Sequence, residues 1–168
     1  MIYVLLLRAV NVGGTGKLPM ADLKRLCLEA GFAEVETYIA SGNVVCHSDL
    51  PSVEVKAALE KKLLEYAGKP VGVVVRTAAE LAAVLDNNPF REAAGNRAMA
   101  IFLDEAPPVD ALERASGIGD EEMALGVREI YVHYPSGMGT SKLKIAAAKT
   151  GTARNLNTVA KLVEMSRK

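Results

Sequence analysis

The sequence predicts an α+β fold built as two halves, each opening with the order β-α-β-β-α. Three observations carry that expectation: short apolar runs bounded by turn residues, apolar stripes at helical spacing between them, and a turn-rich break near the midpoint. Half of the 168 residues are hydrophobic and 24% are charged. That is the usual balance of a globular chain long enough to bury a core.

Ile2–Arg8 reads as a strand. Its run Val4-Leu5-Leu6-Leu7 is apolar on both faces, which predicts a central place in its sheet. Pro19 opens a helix with Leu23, Leu26, Cys27 and Ala30 along one stripe, and Gly31 ends it where a left-handed residue is needed. Val35–Ala40 and Val44–His47 flank the polar turn Ser41-Gly42-Asn43 and form a hairpin. Val53–Tyr66 is helical, with Val55, Leu59, Leu63 and Tyr66 aligned, and Val71–Arg76 is a strand. The order β-α-β-β-α-β is that of the ferredoxin-like unit.

Thr77 followed by Glu80 makes a capping box that opens a helix to about Leu85. Asn87, Asn88, Pro89 and Gly95 mark the break, giving a first half over 1–86 and a second over 87–168, packed as one unit. In the second half Ala98–Leu103 is a strand, Pro107–Ala115 a short helix, and Glu122–Gly126 with Glu129–Tyr134 a strand pair. Ser141–Ala148 reads as a helix, and a terminal helix runs from about Asn155 to Ser166. The expected class is therefore two ferredoxin-like halves packed together and ending in a C-terminal helix.

Composition narrows function by exclusion. Cys27 and Cys46 fall in apolar patterns without Cys-x-x-Cys spacing or a histidine at ligand distance, which predicts buried thiols in a reducing cytoplasm and neither metal nor cofactor. His47 and His133 are isolated near strand ends and read as surface or packing residues. Ile2–Leu7 is too short to span a bilayer, so the expectation is a cytoplasmic protein without membrane contact. Net charge is zero, yet residues 128–168 carry eight Lys/Arg against two Glu, a net of +6. An anionic partner for the basic end, attraction between the two regions, and separately solvated faces all fit that asymmetry. A broad nucleic-acid surface usually brings net basicity, which weakens that reading.

Three polar segments could carry chemistry. In Asn11-Val-Gly13-Gly14-Thr-Gly16-Lys17, Asn11 stands where a P-loop needs its first glycine and Leu18 where it needs Ser or Thr. Pro19 takes the third glycine position of a dinucleotide loop. A loop presenting Arg8, Asn11 and Lys17 remains, with a plain turn as the alternative. In Gly137-Met-Gly139-Thr-Ser141-Lys142, Ser141 is a natural cap and Lys142 a cation in a first helical turn. In Thr152-Ala-Arg154-Asn155-Leu156-Asn157-Thr158, Arg154 is placed likewise and Asn155 can cap. A cation at a helix start costs about 0.3–1 kcal/mol unless an anion or carboxylate faces it. Arg154 can equally pair with an acidic residue upstream. No Gly-x-Ser-x-Gly, His-Glu-x-x-His or cysteine with an assigned base occurs, so no catalytic residue is nominated.

The segments Arg8-x-x-Asn11-Val-Gly13-Gly14, Ser41-Gly42-Asn43-Val44, Ser141-Lys142-Leu143 and Thr152-x-Arg154-Asn155-x-Asn157-Thr158 together resemble the bacterial family catalogued as domain of unknown function 1697. The resemblance covers nearly the whole chain. It implies a small cytoplasmic protein of two α+β halves and supplies no activity. The chain departs at Leu156, where the family pattern has tryptophan; with no Trp anywhere, stacking on an indole is not available.

The expected function is binding of a phosphorylated or other anionic small molecule at loops between the halves. Arg8, Lys17, Lys142 and Arg154 supply positive charge, while Asn11, Ser41, Asn43, Asn155 and Asn157 orient the ligand. Gly13, Gly14, Gly42 and Ser141 complete the set. Three alternatives stand beside it. One is an enzyme on such a substrate, with the same cations stabilising developing charge. The second is a single-stranded nucleic-acid binder, although the aromatic pattern of RNA-reading sheets is missing. The third is a structural or interaction module.

Overall fold

The computed structural model describes residues 1–11 and 17–167. It divides into two compact units: Met1–Leu81 together with the last residues from Leu162, and Ala82–Lys161.

The first unit contains β1 (Ile2–Leu7), α1 (Met20–Glu29), β2 (Ala33–Tyr38), β3 (Asn43–His47), α2 (Ser52–Ala67) and β4 (Val73–Thr77). Its strands lie in the order β2-β3-β1-β4, and every neighbouring pair is antiparallel. β1 is central, as its two-faced apolar run predicts, with Val4 opposite Val45 on one side and Arg76 on the other. Tyr3, Leu5 and Leu7 on one face join Leu23, Leu26 and Cys27 of α1 and Val55, Leu59 and Leu63 of α2 in the main core. Val4 and Leu6, on the other face, are also fully buried. Each such aliphatic burial contributes about 1.5–3 kcal/mol.

The local stops and starts agree with the sequence. Pro19 is the extended residue before α1, and Gly31 follows its end at φ +94°. The Thr77 N–H donates to Glu80 Oε1 at 2.8 Å and the Glu80 N–H to Thr77 Oγ1 at 3.1 Å. This reciprocal box opens α3 (Ala78–Asp86).

The second unit contains β5 (Ala98–Phe102), β6 (Glu122–Leu125), β7 (Glu129–His133) and β8 (Thr152–Asn155), followed by α4 (Leu156–Met165), which continues into the residues grouped with the first unit. Its sheet has the order β6-β7-β5-β8, again antiparallel. Three expectations are corrected here. Pro107–Ala115 is a run of turns, closed by Ala111 N–H to Pro108 O at 3.0 Å and Ala115 N–H to Leu112 O at 3.2 Å. Ala111 is the one buried residue of that stretch, too little apolar contact to offset helix nucleation. Ser141–Ala148 is not a helix either. Lys144 and Ser116 exchange backbone hydrogen bonds at 2.9 and 3.0 Å, and only then does a short 3-10 helix form at Ala146–Thr150. Finally, Thr152–Asn155 pairs with β5 as a strand, placing Ala153 opposite Ile101 and Arg154 opposite Ala100. A central strand with one partner leaves a row of backbone groups unsatisfied, and β8 supplies the second partner.

Among the described residues no helix is long and apolar enough to cross a membrane. Cys27 and Cys46 are buried without a disulfide, and burial pushes both thiols up to about 12. The histidines sit at surface ion-pair distance from carboxylates: His47 Nε2 to Glu34 Oε2 and His133 Nδ1 to Glu122 Oε1, each 2.9 Å.

The thiols yield a prediction. Their folded pKa values lie above the ordinary 9.0, so their stabilising contribution is whole below pH 9 and is lost as pH climbs from there toward 12. The urea midpoint is expected to fall between pH 8.5 and 10.5. Iodoacetamide at pH 8 is expected to label neither cysteine until urea unfolds the chain; rapid labelling of native protein would contradict this burial.

Candidate functional site

The polar motifs of the first unit gather where β1 ends. The Leu7 N–H donates to Gly42 O and the Arg8 N–H to Gly72 O, both at 2.9 Å, so the exit of the strand is fastened on both sides. Asn11, at φ +55°, donates through Nδ2 to Leu18 O at 2.9 Å and Ala40 O at 2.8 Å. Its Oδ1 accepts the Leu18 N–H at 2.6 Å. One amide thus joins Asn11 to Leu18 and to the hairpin turn at Ala40. Asn43 is fully buried and donates to Tyr38 O and Ser41 Oγ, both at 2.9 Å. Gly42 has φ +88°, and a Cβ there would meet Val10 Cγ2 at 2.7 Å and Leu7 Cβ at 2.9 Å. Only glycine fits that approach. Asn11, Ser41, Gly42 and Asn43 therefore lie together, with these contacts made to the chain itself. Gly13 and Gly14 lie outside the described residues.

Beside this exit is a cavity of about 240 Å³. Arg8 and Val10 line it from the strand exit, Lys17 from the residues leading into α1, Leu63 and Tyr66 from α2, and Lys69 and Gly72 from the link into β4. The described residues lining it include three cations and no carboxylate, imidazole or thiol. Arg8 lies across Gly72, where a Cβ would be 3.1 Å from Arg8 Cδ. The Tyr66 hydroxyl donates to Asp22 Oδ2 at 2.7 Å, and that hydrogen bond chiefly raises its pKa. Lys69, Tyr66 and Gly72 are not among the residues expected from sequence. They follow α2, some sixty residues from Arg8, and nothing in their local pattern announces a site.

The second-unit motifs are placed differently from expectation. Ser141 donates through Oγ to Glu121 Oε1 at 2.5 Å and accepts the Leu143 N–H at 3.2 Å. That hydrogen bond, with the Gly119 N–H, holds the Glu121 carboxyl below its ordinary range. Lys142 is exposed and starts no helix. Gly117, at φ +68°, packs so closely that a Cβ would lie 2.1 Å from the Lys142 carbonyl oxygen. Arg154 belongs to strand β8, not to a first helical turn, so the anticipated conflict of both cations with a helix dipole falls away. Arg154 is 6% exposed, and its Nη1 donates to Thr152 Oγ1 at 2.6 Å and Ala153 O at 3.0 Å. Burial pulls its pKa down to about 10, which leaves it charged at neutral pH.

Asn155 accepts the Thr158 N–H on Oδ1 at 2.8 Å and so caps α4, as its position predicts. Asn157 is exposed and presses on Gly95, where a Cβ would lie 2.0 Å from Asn157 Oδ1. Leu156 is buried. Among the described residues no group of three or more His, Cys, Asp or Glu could hold a metal ion.

Residues 1–131 match the family described as protein of unknown function (DUF1697). The Arg8 and Ser41 segments lie inside that match, and the Ser141 and Arg154 segments lie beyond it. A solved structure, that of conserved bacterial protein SP0830 from Streptococcus pneumoniae, is similar over 99% of this chain and 98% of that one, at a TM-score of 0.81 and 27% identity. No curated protein matches.

Two substitutions probe these contacts. Gly42→Ala forces a side chain into a left-handed, occupied position and is expected to cost about 2–4 kcal/mol by urea denaturation. Asn155→Ala removes the cap of α4 and is expected to cost about 1 kcal/mol. Wild-type stability in either variant would contradict the geometry described.

Proposed function

The chain belongs to the DUF1697 family, and we propose that it binds a compact anion, phosphorylated or otherwise, in the cavity at the end of β1. The observation that carries this reading is the convergence of Arg8, Lys17 and Lys69 on one cavity whose described lining has no carboxylate. Three positive side chains lining a concave, partly apolar space attract an entering anion together. Between unit charges 4 Å apart the attraction is about 1 kcal/mol in bulk water and about 4 kcal/mol near a protein surface, so partial enclosure decides its strength. Arg8 offers a planar fork suited to two oxygens, and the lysines act as point charges.

At about 240 Å³ the cavity suits a phosphate group with a small substituent against Leu63, Val10 and the Tyr66 ring. Of the four cations expected from sequence the reading uses Arg8 and Lys17 and adds Lys69; Lys142 and Arg154 stand in the second unit. The strand orders support reading both units as ferredoxin-like. The buried thiols support a reducing cytoplasm.

Binding is better supported than catalysis, because the described lining gathers positive side chains and offers no carboxylate, imidazole or thiol beside them. A nucleic-acid platform is less supported still. RNA-reading sheets stack bases on aromatic rings, whereas the second face of β1 and β3 carries Val4, Leu6 and Val45.

The test is a titration with inorganic phosphate and phenyl phosphate, followed by amide chemical shifts. Saturable shifts are expected at Arg8, Lys69 and Gly72. Arg8→Ala and Lys69→Ala are each expected to weaken affinity about three- to tenfold, with melting temperature held within a few degrees. Unchanged affinity in the double variant, or shifts scattered over the surface, would overturn the proposal.

A further inference from the structure

We propose that the second unit carries a ligand site of its own, for a small amphipathic anion such as a medium-chain carboxylate. The site is a cavity of about 470 Å³ over its sheet, and it does not depend on the anion site of the first unit. In the first unit α1 and α2 cover one face of the sheet. In the second, the corresponding connections are the turns after β5 and the short 3-10 helix, and the core they enclose is small, centred on Ile101, Ile130, Val132 and Ile145. Turns and a five-residue 3-10 helix do not seal a sheet face as two helices do, and a space is left beside Ile101.

Its chemistry is divided. Ile101, Leu143, Ile145 and Ala148 give it an apolar floor. Arg114, Lys144 and Lys149 are exposed at its rim, and no carboxylate is among the described residues that line it. Arg114 also pairs with Asp110 at 3.0 Å. Between floor and rim stands Tyr134, half-buried, with a hydroxyl able to donate. Burial, with nearby Glu121, raises its pKa, so it remains a neutral donor. An apolar chain on the floor brings a terminal carboxylate within the zone of that donor and the rim cations. Volumes of about 300–1,000 Å³ are usual for small-molecule sites.

The experiment is calorimetric titration of the full chain with decanoate below its micelle concentration, with decanol as the uncharged comparator. Saturable one-to-one binding is expected, about tenfold tighter for decanoate than for decanol, and not displaced by inorganic phosphate. Ala148→Trp should fill the floor and abolish binding. Tyr134→Phe and Lys144→Glu should each weaken it about three- to tenfold, with unchanged circular dichroism and melting. If Ala148→Trp fails to fold, the other two variants carry the test. Decanol binding as tightly as decanoate, displacement by phosphate, or wild-type affinity in Tyr134→Phe and Lys144→Glu would overturn the proposal.

Discussion

β1 has an antiparallel partner on each side and apolar residues on each face, so no backbone group along it can turn to water. That constraint governs the first unit. Where the strand ends, at Leu7 and Arg8, the pairing must be continued by whatever loops lie nearby, and the carbonyls of Gly42 and Gly72 continue it. Asn11 and Asn43 then do with side-chain amides what a longer strand would do with its backbone. Asparagine suits the task because it carries both donors and an acceptor on a short stem and tolerates positive φ.

The candidate anion site is a consequence of that arrangement. Fastening Arg8 to Gly72 brings the exit of β1 against the link that enters β4, and α2 ends alongside. Cations from three separate stretches of chain are thereby gathered around one space. The polar motif residues and the cations divide the work: the asparagines, serine and glycine hold the chain, and the charged side chains face the cavity.

The second unit meets the same constraint at β5 with poorer materials. β7 and β8 pair with it on either side, but turns and a short 3-10 helix replace the two long helices of the first unit. Glu121 and Gly117 pin the segment around Ser141 and Lys142, and Asn155 caps the helix that follows β8. A less completely covered sheet leaves an open space beside Ile101, over a core smaller than that of the first unit.

Several features were legible in the amino-acid sequence because a few adjacent residues determine them. The apolar run of β1, Pro19 and Gly31 around α1, the Thr77–Glu80 box, the hairpin at Ser41-Gly42-Asn43 and the Asn155 cap are all of this kind. The motif order also pointed to the family. Tertiary structure alone decided that Thr152–Asn155 is a strand, since four residues without alternation have no preference until β5 offers an unpaired edge. It alone decided that Ser141–Ile145 does not coil, because Ser116 takes up the backbone of Lys144. The meeting of Lys69 with Arg8 was likewise beyond local reading. A cap or a turn is settled by neighbours in the chain, whereas a strand partner or a cavity wall is settled by residues that are near only after folding.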